Sequence, residues 1–307
     1  MRAVVIPRPG PPEVLEIQDL PEPVAESGQV RVRVTAATVN PTDVALRAGL
    51  HPGRDAAGPV VPGMEAAGTV DQVGDGVAFA PGDRVMAITT PDRGGAYRDQ
   101  VVLGADQVAR VPEGVSLVEA ATLPMNGLTA VRALDMLALP PGGSLVISGA
   151  AGALGGYVLQ LAVHRGLRVV AIAGESDRDL LAALAPHEFV PRGERVAERV
   201  REVLPDGADG ALDAALLHEE LVPAVRDDGG FAVVRGWDGS PGRGITVHKV
   251  MVGDYLRRAD LLDELGGLVA DGVLTLRVAQ TYPAEEAAEA HRRMESGGVR
   301  GRLVVTF

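Results

Sequence analysis

The sequence predicts an α/β protein of two domains: a mostly antiparallel, barrel-like β domain and a doubly wound parallel-sheet domain. Three observations predict it. Residues 1–118 are β-rich runs separated by Gly/Pro turns, with a single short helical stretch. Residues 119–255 alternate short apolar runs with segments of helical spacing. Near the start of that second region stands Ser144–Gly156, S-L-V-I-S-G-A-A-G-A-L-G-G, which reads as strand, glycine-rich turn and helix in succession.

In the first region the strand candidates are Ala3–Ile6, Val30–Ala36, Gly68–Val73, Arg84–Ile88, Gln100–Leu103 and Gln107–Val111, with turns at Pro62-Gly63 and Pro81-Gly82-Asp83. Asn40–Gly49 is the short helix, with Pro41 at a first helical position, where its missing N–H costs nothing. Leu117–Leu123 and Gly127–Leu137 then take helical spacing. The second region continues with strand Leu145–Ile147, a helix to Arg165, strand Val169–Ala173, a helix near Arg178–Ala185 and a further segment Gly193–Leu204. Strand Gly210–Ala214, a helical segment near Glu219–Arg226 and strands Gly230–Arg235 and Gly244–Val250 complete it. Residues 256–307 carry the end of a helix over Asp254–Ala270, a strand near Leu274–Val278, a helix Ala284–Glu295 and a last strand Arg302–Phe307. These last strands are expected to return to the first domain.

Composition narrows the function. The 307 residues include no cysteine, which removes disulfides, thiolate metal ligands and a cysteine nucleophile. A net charge of −12 disfavours nucleic acid and anionic membrane as partners, leaving a small molecule as the expected one. No apolar run approaches the roughly 18 residues of a membrane span, and the N-terminal apolar run is too short for a signal peptide, so a cytoplasmic protein is expected. Only Lys249 among 29 basic residues is lysine, a bias without functional reading.

The glycines Gly149, Gly152 and Gly155 recur at spacing three between a buried strand and a helix, and a second strand follows at Arg168–Ala173. That order forms the first half of a dinucleotide-binding βαβ unit. The turn must be tight, the pyrophosphate approaches backbone that a Cβ would block, and the helix start offers free N–H groups to the negative charge. Ala151, Ala153 and Leu154 lie within the same cradle. A dinucleotide cofactor is therefore expected.

Several stretches resemble the medium-chain dehydrogenase/reductase family, in its zinc-free quinone oxidoreductase (zeta-crystallin-like) branch. They are T-V-N-P-T-D at 38–43, V-P-G-M-E-A-A-G-T-V at 61–70, P-G-D-R-V at 81–85, L-P-M-N-G-L-T-A at 123–130, S-G-A-A-G-A-L-G at 148–155 and A-H-R-R-M-E-S-G-G-V-R-G-R-L-V at 290–304. The resemblance implies a GroES-like barrel domain (1–118 with the return 256–307) and a Rossmann domain (119–255). Zinc enzymes similar to this family use a cysteine, a His-Glu pair and a four-cysteine lobe; here Met64-Glu65 stands where the pair would lie, so no metal is expected and Glu65 reads as a buried structural carboxylate.

Ala173, at the end of the second strand, replaces the acidic residue that would select NADH, and leaves room for a 2′-phosphate. Gly174, Ser176 and Arg178 follow it, residue types that bind this phosphate in the family, and Arg192 on the next loop offers another guanidinium. Glu175 is discordant, but the set favours NADPH over NADH. Arg235 and Arg302 are further expected cofactor contacts, a surface ion pair being the alternative role of Arg302. The resemblance places Asn40 and Thr129 near the nicotinamide, with Asp43 fixing the Asn40 turn; a helix cap is the alternative role of Asn40. His51 and Ala45 stand where the family often has tyrosines, so His51 becomes a candidate to protonate or polarise the substrate. Tyr97 matches a family aromatic that is usually structural and is a candidate substrate contact. Trp237, the single tryptophan, is a candidate to stack on a flat substrate, with ordinary packing as its alternative role.

Together these features imply zinc-independent hydride transfer from NADPH to a quinone or an activated C=C, in the second case on a cyclic or polyketide-like enone. The alternative is a non-catalytic, crystallin-like NADPH-binding protein. A homodimer is expected through the edge near Gly244–Val250.

Overall fold

The computed structural model describes residues 1–50, 60–90 and 94–307. The chain divides into two compact units: Met1–Met125 with Leu256–Asp271 and Leu276–Phe307, and Asn126–Tyr255 with Gly272–Thr275.

The first unit opens with the antiparallel pair β1 (Arg2–Val5) and β2 (Glu16–Asp19). There follow β3 (Gln29–Thr38), α1 (Pro41–Arg47), β4 (Glu65–Val73), β5 (Arg84–Ile88), β6 (Gln100–Gly104), β7 (Val108–Arg110) and α2 (Leu117–Ala120). β3 is the spine of this unit because its first half alternates: Val30, Val32 and Val34 are buried while Arg31 and Arg33 point outward. Each such valine contributes about 1.5–3 kcal/mol by leaving water. Its two halves pair with different partners, β6 beside residues 29–33 and β15 (Arg302–Thr306) beside residues 36–38, while β4 runs along its other edge.

The second unit begins within α3 (Pro124–Leu137) and continues through β8 (Ser144–Ser148), α4 (Ala153–His164), β9 (Arg168–Ala173), α5 (Arg178–Ala182), β10 (Glu188–Pro191), α6 (Val196–Val203), β11 (Ala208–Asp213), β12 (Val225–Val233) and β13 (Thr246–Lys249). The six strands form one parallel sheet in the order β10-β9-β8-β11-β12-β13. β8 is buried along its whole length, as a strand covered by helices on both faces must be. The order reverses between β8 and β11, the point outside which ligands of doubly wound sheets bind. The chain ends in the first unit with α7 (Ala259–Ala270), β14 (Val278–Pro283), α8 (Ala287–Glu295) and β15; β14 and β15 extend the sheet of β3.

The α/β class and the doubly wound sheet are those the sequence predicts. Four details differ. β2 and β10 were not anticipated: one is short and mostly exposed, the other a four-residue edge strand that ends in Pro191. The helix expected near Glu219–Arg226 is two 3-10 turns, His218–Glu220 and Val222–Ala224, because Leu216 and His218 sit at positive φ and Pro223 stops a longer helix. The last-but-one strand starts at Val278, later than expected, where pairing with β15 begins. Among the described residues no helix is long and apolar enough to cross a membrane.

Candidate functional site

In the second unit the glycine turn is built as its spacing requires. Gly149 sits at φ +66°. A Cβ on Gly155 would fall 2.3 Å from the Gly149 carbonyl oxygen and 2.8 Å from the Ala150 Cα, so only glycine lets α4 pack onto the turn. Gly152 is the N-cap of α4 and brings no side chain to cap it, which leaves the first helical N–H groups, those of Ala153 onward, facing away from the helix. The cradle therefore fits a dinucleotide pyrophosphate by backbone and helix dipole alone.

Sequence reasoning missed the brace beneath this turn. Ser148, at the end of β8, donates its hydroxyl to Asp213 Oδ1 at 2.6 Å, at the end of β11. The same fully buried carboxylate accepts the N–H groups of Leu217 (3.0 Å) and His218 (2.8 Å), and the Ser148 oxygen accepts from Ala215 N at 2.9 Å. The two strand ends flanking the switch point are thus tied together. The only sequence signal was an aspartate closing an apolar strand.

At the end of β9 three of the predicted residues converge. A Cβ on Gly174 would lie 3.5 Å from Arg192 Nε and 3.6 Å from Ser176 Oγ. Arg192 is carried there by its own N–H, which bonds the Ala173 carbonyl. Arg178 is engaged differently: its Nε and Nη2 donate to the two oxygens of Glu175 at 2.7 and 3.1 Å, and its guanidinium lies 4.4 Å over the Phe189 ring. This pairing holds the Glu175 carboxyl below its ordinary range and cancels the charge that was discordant for phosphate. Asp177 accepts the Gly174 N–H at 3.1 Å and stiffens the turn. Arg235 is exposed, two residues past β12.

The remaining predicted contacts require correction. Trp237 is 8% exposed. One face of its indole is stacked on His218 (5.7 Å, 8°), Phe231 packs against it at 5.3 Å, and its Nε1 donates to Glu219 at 2.8 Å, so no ring face is left for a flat substrate. Tyr97 is wholly buried, with its hydroxyl 3.4 Å from the Thr38 carbonyl and its ring edge-on to His291, and serves packing rather than substrate contact.

Arg302 and Asn40 come together in the first unit, but inwardly. Arg302 is 3% exposed; its Nη2 donates to Asn40 Oδ1 at 2.9 Å and also bonds Glu65 and Thr38. Asn40 Nδ2 lies 3.3 Å from Glu65 Oε1 and 3.4 Å from Thr38 Oγ1, so both ends of a 2%-exposed amide are satisfied inside the cluster. A phosphate contact for Arg302 and a direct ring contact for Asn40 do not fit this burial. Nor does the Asn40 side chain cap α1. The cap runs through Asp43, whose Oδ2 accepts the Asn40 N–H at 2.9 Å and whose Oδ1 accepts Gly63 N–H at 2.8 Å. Burial raises the Asp43 carboxyl to about 6 against those two bonds, which act in the opposite direction. Thr129 is buried on α3. His51 lies outside the described residues.

The donor set around Glu65 does not fit a metal ion. Its carboxylate is fully buried and already holds Arg302, Asn40 and the N–H of Met125 (2.7 Å), and Met64 precedes it. Among the described residues no three His, Asp or Glu side chains gather as a ligand set.

Comparison with known proteins is consistent from end to end. Residues 26–115 match the family described as "Alcohol dehydrogenase GroES-like domain", and residues 184–305 match "Zinc-binding dehydrogenase". Quinone oxidoreductase of Mus musculus is 30% identical over 99% of this chain and 97% of its own length. Pikromycin polyketide synthase component PikAII of Streptomyces venezuelae is 32% identical over 97% of this chain, which spans only 8% of that much longer protein. A crystal structure of an NAD-dependent alcohol dehydrogenase superposes with a TM-score of 0.91 at 31% identity, covering 100% of both chains. The GroES-like region, the Rossmann sheet with its glycine cradle and the full-length match to a quinone oxidoreductase establish that the chain belongs to the medium-chain dehydrogenase/reductase family of NAD(P)-binding oxidoreductases.

Proposed function

We propose that the protein is a zinc-independent, NADPH-dependent reductase of quinones or of activated C=C bonds. The observation that carries the cofactor choice is the convergence of Ser176 and Arg192 on Gly174, with Glu175 neutralised by Arg178. A 2′-phosphate would meet a hydroxyl and a guanidinium there, whereas a bare ribose would find no carboxylate at Ala173 to hold its hydroxyls. When bound, NADPH would supply the hydride for such a reduction, becoming NADP+, and a proton would complete it. The chain's own part is to bind and orient, which this reaction chiefly needs. His51 is the candidate proton donor by its chemistry, and Thr129 the candidate contact at the nicotinamide.

Similarity to a segment of a polyketide synthase agrees with a polyketide-like substrate, and similarity to a quinone oxidoreductase agrees with a quinone. The test is NADPH and NADH oxidation at 340 nm over a panel of quinones and enones. Turnover with a kcat/KM at least tenfold higher for NADPH supports the reading. Tight NADPH binding without turnover on any acceptor favours a crystallin-like binding protein instead. H51Q, with kcat lowered for enones while NADPH affinity is unchanged, would identify the proton donor. We propose that the protein self-associates through β13, which among the described residues pairs only with β12 and is followed by the exposed Met251; a monomeric mass by light scattering would refute it.

A further inference from the structure

The second unit carries another cavity, at the end of its sheet opposite the glycine cradle. The cradle follows the carboxyl end of β8, whereas this groove of about 630 Å³ lies at the amino ends of β12 and β13. Its walls are apolar: Ala197 of α6, then Val222, Pro223 and Pro241. Two cations complete the lining, Arg201 from the last turn of α6 and Arg243 from the segment ahead of β13.

Both guanidinia are fixed by backbone. Arg201 donates to the carbonyls of Pro223 (2.9 Å), Pro205 (3.0 Å) and Val225 (3.1 Å). Arg243 donates to Val222 (2.8 Å) and to the same Val225 oxygen (2.9 Å). Because they share that acceptor, the nearest nitrogens of two like charges lie no more than about 6 Å apart. Gly207 makes room for this arrangement, since a Cβ there would fall 2.8 Å from Arg201 Nη2.

The two charges are incompletely answered. Among the described residues the only carboxylate on either guanidinium is Asp227, 3.2 Å from Arg243 Nη1. Glu198, which also borders the groove, is bonded to Arg195 instead. Arg201, Arg243 and Asp227 together therefore keep one positive charge, in a chain whose net charge is −12. Hydrogen bonding is unfinished too. A guanidinium has five N–H donors, and each of these two has spent three. A fixed planar fork with spare donors matches a carboxylate, the single surplus charge matches a monoanion, and the apolar walls match a hydrocarbon body.

We propose that this groove binds an amphipathic monocarboxylate of the alkyl-chain class. The carboxylate sits on Arg201 and Arg243, and the chain lies along Ala197, Val222 and the two prolines. The site is separate from the cofactor cradle and does not depend on how that cradle is filled.

Octanoate is the probe, with acetate and 1-octanol presenting the head and the body alone. Calorimetric titration of the full chain should show octanoate binding roughly tenfold tighter than either, since each lacks one half of the match. R243Q removes one half-buried guanidinium and is expected to weaken octanoate roughly tenfold. P241D leaves both arginines in place and sets a carboxylate against them, so it should weaken octanoate as much; it decides alone if R243Q does not fold. Octanoate seated at the carboxyl end of the sheet would bind both variants as it binds wild type, and that result overturns the proposal. Octanoate binding no tighter than acetate overturns it as well.

Discussion

Glu65 and Arg302 form a buried ion pair across β3, 237 residues apart in sequence, with Thr38 of the intervening strand bonded to both. The pair's charges are almost wholly removed from water, which favours neither alone. Removing one partner strands the other. R302M is expected to lower stability by about 3–5 kcal/mol, because it leaves an uncompensated carboxylate. E65Q/R302M, which removes both charges, should recover most of that loss. The check is chemical denaturation of the three proteins, and a double variant no more stable than R302M would show that the pair's charge is not the issue.

Two buried groups in the first unit bias stability in opposite directions with pH. Asp43 is raised to about 6 in the fold from an ordinary 3.8, chiefly by burial, so its favourable contribution is complete below 3.8 and is lost as pH rises through 6. The amount is about 3 kcal/mol at 1.36 kcal/mol per pH unit. His291 is held down at about 3 from 6.5 by burial and then by Arg47, so its contribution is complete above 6.5 and is lost as pH falls toward 3. Between pH 4 and 6 the two slopes oppose one another. H291Q removes only the second, and the stability gap between wild type and H291Q is expected to shrink by roughly 1.4 kcal/mol per pH unit on acidification from 6 to 4. Urea unfolding at four pH values over that range measures it; a constant gap would refute the assignment.

What the sequence made legible was local. The Gly149–Gly152–Gly155 spacing, the flanking strands and the start of α1 at Pro41 are all set by neighbours within a few residues, where φ/ψ demands and helix termini leave direct signatures. The Arg302 cluster and the Ser148–Asp213 brace were not legible, because each joins strands that become neighbours only when the sheet forms. The same holds for Arg178 and Arg192. Their sequence positions suited a phosphate equally well, and only the structure shows that one is spent on Glu175. Trp237 misled for a related reason: the carboxyl end of β12 does face the crevice side of a doubly wound sheet, but the indole folds back under His218.

Gly155 tests the cradle. With a Cβ, it would collide with the Gly149 carbonyl at 2.3 Å, and that atom is backbone that cannot swing aside. G155A is expected to push α4 off the turn, weakening NADPH binding by tenfold or more and lowering stability by about 1–3 kcal/mol, as overpacking does. Calorimetric titration with NADPH and thermal unfolding report both. G152A is the milder control, since its Cβ would meet the Gly149 oxygen at 3.1 Å rather than 2.3 Å. Equal affinities for G155A and wild type would exclude this turn as the cofactor's seat.

Selectivity should follow the Arg192 guanidinium rather than that of Arg178, which is paired with Glu175. Arg192 reaches toward Gly174 beside Ser176, whereas both donating edges of Arg178 face Glu175. R192A is therefore expected to reduce NADPH affinity about tenfold and leave NADH affinity nearly unchanged, the loss appropriate to one charge-assisted phosphate contact. R178A is expected to cost more than the contact itself, because it releases Glu175 as an unpaired carboxylate that repels the phosphate and accepts a ribose hydroxyl. Its preference should shift toward NADH. R178A/E175Q removes both charges and should return to nearly wild-type selectivity. Dissociation constants for both dinucleotides across these four proteins decide it; a double variant that behaves as R178A would mean that Arg178 itself holds the phosphate.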